Sequence, residues 1–362
     1  MSKKLYFVVQ HFRSGGAERV ASILINELSA RGYDIIVESD FTYGLNYPLS
    51  DGVKKVQTFL KKPGKNIFQV VLYFIQRLKH RRANLKKYNP DVVISFLSRT
   101  FFETKLCSIG LNKKHIVSDH TAMDRRIGYF NDYIRHHFYN YADYTTILTQ
   151  KDAALIKGKL NNAVVVYNPL TFKSISSNNI IERDKIILCV GRINQWYIKG
   201  YDRICKIWGE ISSQFPDWKL CFLGDASDAT KEHLRNIANV KNISQQIIFY
   251  GQQSDVISFY HKAAIFALPS RTEGFPMALI EAMSQGCASV AFSLNGAINE
   301  IIDDNSDGYI VTDDNLIEFK EKLIRLLSDQ EQRYNMAQRA AANISRFDKA
   351  RYTDKWIKLL EH

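Results

Sequence analysis

Along its whole length the chain alternates short apolar runs rich in Val, Ile, Phe and Tyr with longer stretches in which apolar residues recur every three or four positions. Apolar runs bounded by turn residues read as strands, and the longer period reads as one face of a helix. Residues 5–9 (LYFVV) predict a strand, and residues 17–31 predict a helix with Val20, Ile23, Leu24 and Leu28 on one face. DIIVES, DVVISFL, HIVSD and YTTILT predict further strands, and NAVVVYNPL follows them. A second series opens with KIILCVGR and runs through WKLCFLGD, QIIFYGQ, AAIFALPS, CASVAF and DGYIV, with helical stretches between. Such alternation, free of repeats, is the pattern of an α/β protein with mostly parallel sheets. The polar stretch TFKSISSNNIIERD separates the two series as a linker. The expected organisation is two Rossmann-like domains, 1–170 and 185–345, facing across a deep cleft, with a linker at 171–184 and a terminal stretch at 346–362.

Within this pattern SRTEGFPMALIEAMSQG, residues 270–286, places two glutamates in a segment that otherwise reads as buried. Proline restricts the residue before it, so Phe275 is expected to be non-helical and Pro276 to open a helix that Gly286 stops. Glu273 then lies in a loop after the strand at 263–268, and Glu281 is the one charge on an apolar helix. A helix N-terminus behind a glycine attracts phosphate, and a carboxylate accepts hydrogen bonds from sugar hydroxyls. A surface glutamate and a core glutamate paired with an arginine satisfy the same pattern, but Gly-Phe-Pro between them favours a ligand.

Other segments carry weaker signals. Gly15 and Gly16 in RSGGAERV open a helix after the first strand, where a backbone can approach a phosphate; a close-packed turn is an equal reading. LCVGRINQWYIKGYD places Arg192 and Lys199 at the two ends of a strand-to-helix loop, suited to a diphosphate, although solvated surface charge is the commoner fate of both residue types. His120 follows a strand of the first series, where a crevice is expected, yet a lone histidine is more often structural. The remaining histidines, including His136 and His137, lack metal-ligand spacing. DDNSDG at 303–308 resembles the start of a calcium loop, but the strand-like YIV after it makes an acidic turn the better reading.

Composition narrows the class. The chain has 362 residues, 46% hydrophobic and 24% charged, as in soluble globular proteins of two domains. Its five cysteines are scattered and form no CxxC pair, which reads as reduced core residues of a cytosolic protein. No run reaches the roughly 18 apolar residues of a membrane span, and residues 5–9 are too short for a signal peptide, so a cytoplasmic location is expected. The net charge of +12 is uneven: residues 1–150 hold 23 Lys and Arg against 12 Asp and Glu. Residues 52–90 hold 11 basic side chains and no acid, so the first half is expected to face something negative. Residues 65–87, apolar first and basic after, read either as a core helix with a solvated end or as an amphipathic surface resting on anionic lipid. No nucleic-acid motif accompanies the charge.

Taken together, GGAERV, SDH, VVYNPL, GRINQWYIKGYD, LGD, FYGQ, ALPSRTEGFPMALIEAMSQG and NGAINEIIDDNSDGYIV resemble, in order and over nearly the whole chain, the retaining glycosyltransferases of family 4. The resemblance implies a GT-B fold, a first domain that binds the acceptor and a second that binds a nucleotide sugar. It implies that Arg192 and Lys199 neutralise the donor diphosphate, that Glu281 holds the ribose hydroxyls, and that Glu273 with the Gly274 and Phe275 backbone holds the donor sugar. Gly16 would approach the diphosphate and His120 the donor sugar. It further implies transfer with retention and without a metal or other cofactor, and a terminal helix that packs back on the first domain. Cys287 stands where the family often has proline, and Ala226 follows Gly224 and Asp225 where many members have glycine.

The expected activity is transfer of a hexose or N-acetylhexosamine from a UDP-sugar to a lipid-linked saccharide in lipopolysaccharide, capsule or exopolysaccharide assembly, on the inner face of a membrane. An epimerase or phosphorylase of the same fold, or a non-catalytic protein drawn by charge to membrane or nucleic acid, are the alternatives.

Overall fold

The computed structural model describes residues 3–13, 15–42, 44–59, 66–176, 183–239, 245–294 and 296–361. The chain forms two compact units, one of residues 1–169 with 349–362 and the other of residues 170–348. Of the expected linker, residues 177–182 lie outside the described residues.

The first unit is built on seven strands, β1 Lys4–His11, β2 Asp34–Asp40, β3 Lys54–Gln57, β4 Val92–Phe96, β5 Lys114–Ser118, β6 Tyr144–Ile147 and β7 Ala163–Val165. They form one parallel sheet in the order β3-β2-β1-β4-β5-β6-β7. Central β1 and β4 are apolar on both sides because helices cover both faces. The helices are α1 Gly16–Ala30, α2 Ile67–Tyr88, α3 Ser98–Cys107, α4 Tyr129–His137 and α5 Gln150–Ile156.

In the second unit β8 Asp184–Val190, β9 Lys219–Leu223, β10 Ile247–Gly251, β11 Ala263–Leu268, β12 Ala288–Phe292 and β13 Tyr309–Val311 form a parallel sheet in the order β10-β9-β8-β11-β12-β13. Its helices are α6 Tyr201–Ile211, α7 Asp228–Ala238, α8 Ile257–Lys262, α9 Met277–Ser284, α10 Leu316–Ser328 and α11 Gln330–Asn343. The last helix, α12 Lys349–Glu361, belongs to the first unit, where it packs on α1. Asp354 pairs with Arg31 at 2.6 Å, and the carbonyls of Leu359 and Leu360 accept hydrogen bonds from Lys114 and Lys3. Trp356 and Leu360 fill its buried face.

Of the two readings of residues 65–87, the structure overturns the core helix with a solvated end. It is the apolar first half of α2 that faces out: Ile67, Phe68, Val70, Val71, Leu72 and Ile75 are all exposed, Phe68 at 82%. The basic second half is anchored. Arg81, 4% exposed, donates from Nε to Glu38 of β2 at 2.8 Å and from a terminal nitrogen to Glu103 of α3 at 3.2 Å. Arg77 joins Glu103, and the Tyr6 hydroxyl donates to Glu38 at 2.6 Å. Removing one member of such a buried set strands an uncompensated charge, so the set fixes where α2 sits. Among the described residues no helix is long and apolar enough to cross a membrane. All five cysteines are buried and unpaired, and burial pushes the thiols of Cys107 and Cys287 up to about 12 and that of Cys221 up to about 11.

His115, second residue of β5, is 1% exposed; burial, with Lys105 adding repulsion, pushes its pKa down from 6.5 to about 4. Below pH 6.5 the unfolded chain takes up a proton that the folded chain refuses, so this stability is complete above pH 6.5 and is lost as the pH falls towards 4. The loss amounts to at most about 3 kcal/mol. Urea midpoints at neutral pH and near pH 4.5 should therefore converge in His115→Gln relative to the unsubstituted protein; an unchanged difference would rule out His115 as the source.

Candidate active site

The second sheet reverses its order between β8 and β11, and in open parallel sheets ligands bind beyond the carboxyl ends of the strands at such a point. Two loops meet there, residues 191–200 after β8 and residues 269–276 after β11. Gly200 is where they touch. Its φ of +66° suits glycine, and a Cβ added there would lie 1.7 Å from the Pro269 carbonyl oxygen, so no side chain fits. The Arg271 amide donates to the Ile198 carbonyl at 2.8 Å. The Arg271 guanidinium grips both Asp202 oxygens at 2.7 Å and lies over the Tyr197 ring at 4.0 Å, so planar fork and stacked face are used together.

This contact sets Lys199 against Glu273: the ammonium lies 2.8 Å from Oε1, and the Ser270 hydroxyl donates to the same oxygen at 2.7 Å. Both side chains are only partly exposed, 22% and 14%. Arg192, at the other end of the first loop, is exposed where it opens the turn Ile193–Gln195. Gly274 is half-buried, and Phe275 is 5% exposed with its ring edge-on to Phe347 at 5.3 Å, which leaves the backbone as what Phe275 offers a ligand. Pro276 differs from expectation by one position. With ψ of 93° it caps α9 from outside, and the helix begins at Met277; Gly286, φ +78°, follows its end as expected. Glu281 is 3% exposed inside α9, and its two oxygens accept from Thr171 at 2.6 Å and Tyr260 at 3.0 Å. Near Ala226 the loop is held by Asn194, which donates to Asp225 at 3.2 Å and accepts the Ser227 amide at 2.9 Å.

In the first unit His120 follows β5. Its ring stacks on Phe96, centroids 5.2 Å apart and 6° from parallel, and Nε2 lies 3.0 Å from the Ser118 hydroxyl. Thr146 donates to the same Ser118 hydroxyl at 2.9 Å, so the ring is tied to two hydroxyls in series. Burial pushes the pKa down to about 4, tempered by Asn168. His120 is therefore a neutral ring at pH 7. Gly16 is the first residue of α1, and Gly15 caps it with extended backbone, φ −178°, which any residue adopts. Neither glycine is therefore required for its dihedral angles.

Residues 303–308 form a turn in which Asp307 accepts the Asp303 amide at 2.7 Å. No cluster of three or more His, Cys, Asp or Glu that could hold a metal occurs among the described residues. A shallow depression lined by Asn112, Lys113, Lys114, Asp143 and Tyr144 sits at the amino ends of β5 and β6, opposite the end that carries His120. Sequence reasoning passed over Ser270, Thr171, Tyr260, Arg271, Ser118 and Thr146. Of these only Arg271, beside Thr-Glu-Gly, had a local signal.

Comparison with known proteins now bears on these residues. The family model Glycosyltransferase Family 4 matches residues 14–171, and Glycosyl transferases group 1 matches residues 171–343. The chain is 28% identical to an amylovoran biosynthesis glycosyltransferase of Erwinia amylovora, over 99% of this chain and 100% of that one. It is 24% identical to a GalNAc-alpha-(1->4)-GalNAc-alpha-(1->3)-diNAcBac-PP-undecaprenol alpha-1,4-N-acetyl-D-galactosaminyltransferase of Campylobacter jejuni, over 99% and 98%. Among solved structures it resembles HepE of Anabaena, determined in complex with UDP and glucose, with a TM-score of 0.75, 15% identity and 99% coverage of both chains.

Gly200→Ala tests the meeting of the two loops. Gly32 has a φ of +86° with open space around it, so Gly32→Ala measures backbone strain alone, about 1 kcal/mol. Gly200→Ala adds the clash with Pro269 and should cost roughly 2–4 kcal/mol. Equal shifts of the two thermal midpoints would show that the loops yield.

Proposed function

The chain belongs to the glycosyltransferases of family 4 and has the GT-B fold, and from that premise we propose that it moves a hexose or N-acetylhexosamine from a UDP-sugar to a lipid-linked saccharide. The reading that fits best is assembly of a cell-surface polysaccharide such as lipopolysaccharide, capsule or exopolysaccharide, at the inner face of a membrane. The observation that carries it is the Lys199–Glu273 pair at the switch point of the second sheet.

Breaking an anomeric C–O bond leaves negative charge on the diphosphate. In this reading Lys199 leaves Glu273 for that diphosphate, joined by Arg192, and fixed cations stabilise the charge as it develops without requiring a metal. Glu273, released from the ammonium but still held by Ser270, accepts hydrogen bonds from donor-sugar hydroxyls beside the backbone of Gly274 and Phe275. Glu281 takes the ribose. Departure and attack on the same face of an oxocarbenium-like sugar would give retention, with positioning supplying much of the rate. Two relatives support the class of acceptor and donor: the Campylobacter enzyme is named for an undecaprenol-diphosphate saccharide, and the Anabaena structure holds UDP.

The correct donor should raise the thermal midpoint in a panel of nucleotide sugars, following RT ln(1+[L]/Kd). UDP should then be released only when a lipid-linked acceptor is added, and inorganic phosphate should not substitute for it. Lys199→Ala and Glu273→Ala should each lower kcat about 10²- to 10³-fold, while Glu281→Ala should act mainly on the donor KM. Silence towards every UDP-sugar would overturn the proposal.

A seat on anionic membrane is supported by the acid-free basic stretch 52–90 and the exposed apolar half of α2. Co-sedimentation with phosphatidylglycerol vesicles should exceed that with phosphatidylcholine and should fall at least tenfold, by roughly the burial of two side chains, when Phe68 and Val71 are both changed to Asp. Undiminished sedimentation of that variant would exclude α2 as the contact.

A further inference from the structure

Glu281 does not stand loose in its helix. The Thr171 hydroxyl donates to Oε1 at 2.6 Å and the Tyr260 hydroxyl to Oε2 at 3.0 Å, so the carboxylate is gripped at both oxygens and cannot rotate about its last bond without losing one of them. Both donors are themselves immobilised. Thr171 lies in a segment held at three points: the Leu170 amide donates to Phe347 at 2.7 Å, the Ile175 amide to Ser284 at the end of α9 at 3.0 Å, and the Gln285 side chain to the Lys173 carbonyl at 3.0 Å. Tyr260 is fully buried at the end of α8, and its carbonyl is held by the Arg183 guanidinium at 2.9 Å and the Cys287 thiol at 3.2 Å.

The structure assigns Thr171 and Tyr260 as positioning residues that aim the Glu281 carboxylate and thereby set selectivity for the vicinal 2′,3′-diol of a ribonucleotide. The inference rests on the reading of Glu281 as the ribose ligand. A carboxylate free to turn re-optimises around whatever hydroxyl remains, and discriminates weakly. One clamped in a fixed plane cannot follow, and an analogue lacking a hydroxyl leaves the second lone pair of an aimed oxygen without its partner. Two hydroxyls suit this task better than two cations because they orient the carboxylate without neutralising it, so its charge still strengthens the bonds it accepts.

The test measures binding of UDP and 2′-deoxy-UDP to the full chain by calorimetry. The unsubstituted protein should prefer UDP by about ten- to a hundredfold, the range of one hydrogen bond to a charged acceptor. Thr171→Val should bring that ratio below about threefold, and Thr171→Ser should restore it. Tyr260→Phe, which keeps the buried ring and removes only the hydroxyl, should lower the ratio independently of any folding defect in the valine variant. If both Thr171→Val and Tyr260→Phe keep the original ratio, the positioning role is wrong and the ribose reading stands. Collapse in Thr171→Ser as well would place the effect in the methyl group and overturn the hydroxyl assignment. An unsubstituted protein that binds both nucleotides equally, or binds neither, would overturn the ribose reading and this inference with it.

Discussion

The second unit's chemistry depends on one close approach, that of Gly200 to the Pro269 carbonyl. Parallel sheets bring the ends of β8 and β11 side by side, but strand ends alone leave two loops free to splay. Removing the side chain at residue 200 lets backbone meet backbone, and Arg271 then stitches the loops through Ile198, Tyr197 and Asp202. The Lys199–Glu273 pair is a product of that seam. Without a ligand the pair satisfies a half-buried ammonium and a half-buried carboxylate with each other, so neither is stranded. A diphosphate sugar offers each of them a replacement partner at the same time, an anion for the lysine and hydroxyls for the glutamate.

The first unit uses buried charge differently. Arg81 between Glu38 and Glu103 is enclosed and partnered by both, and its effect is mechanical. It pins the second half of α2 to β2 and α3, which permits the first half to present Phe68 and its apolar neighbours to the outside while the helix stays in place. An apolar surface of this size would otherwise be expected to turn inward.

The alternation of apolar runs and helical periods was enough to read the second sheet and all of the first but the polar edge strand β3, and Pro and Gly around residues 273–286 were enough to read the loop and helix that carry the two glutamates. These are local signals. What escaped was non-local. Nothing near Arg77 and Arg81 in the chain shows that Glu38 and Glu103 will neutralise them, so of the two readings of this helix the one with a core apolar end fails, while Lys86 and Lys87 at the basic end are exposed as it expected. Thr171 sat in a stretch that read as linker, and Ser270, Tyr260, Ser118 and Thr146 are single hydroxyls without periodicity; their roles exist only through partners brought up by folding. Pro276 slipped by one position because a proline suits either side of a helix boundary, and the choice is made by its ψ.

The burial of every cysteine has a practical reach. Five thiols held protonated and out of solvent leave the surface without a competing thiol, so a single cysteine introduced at an exposed site becomes the one thiol that a maleimide reagent reaches. Phe68 on α2 and Ile317 on α10 are both well exposed and belong to different units. A pair of spin labels there would read the distance between the two halves directly, with nucleotide present or absent, in a chain that needs no prior removal of its own sulfur.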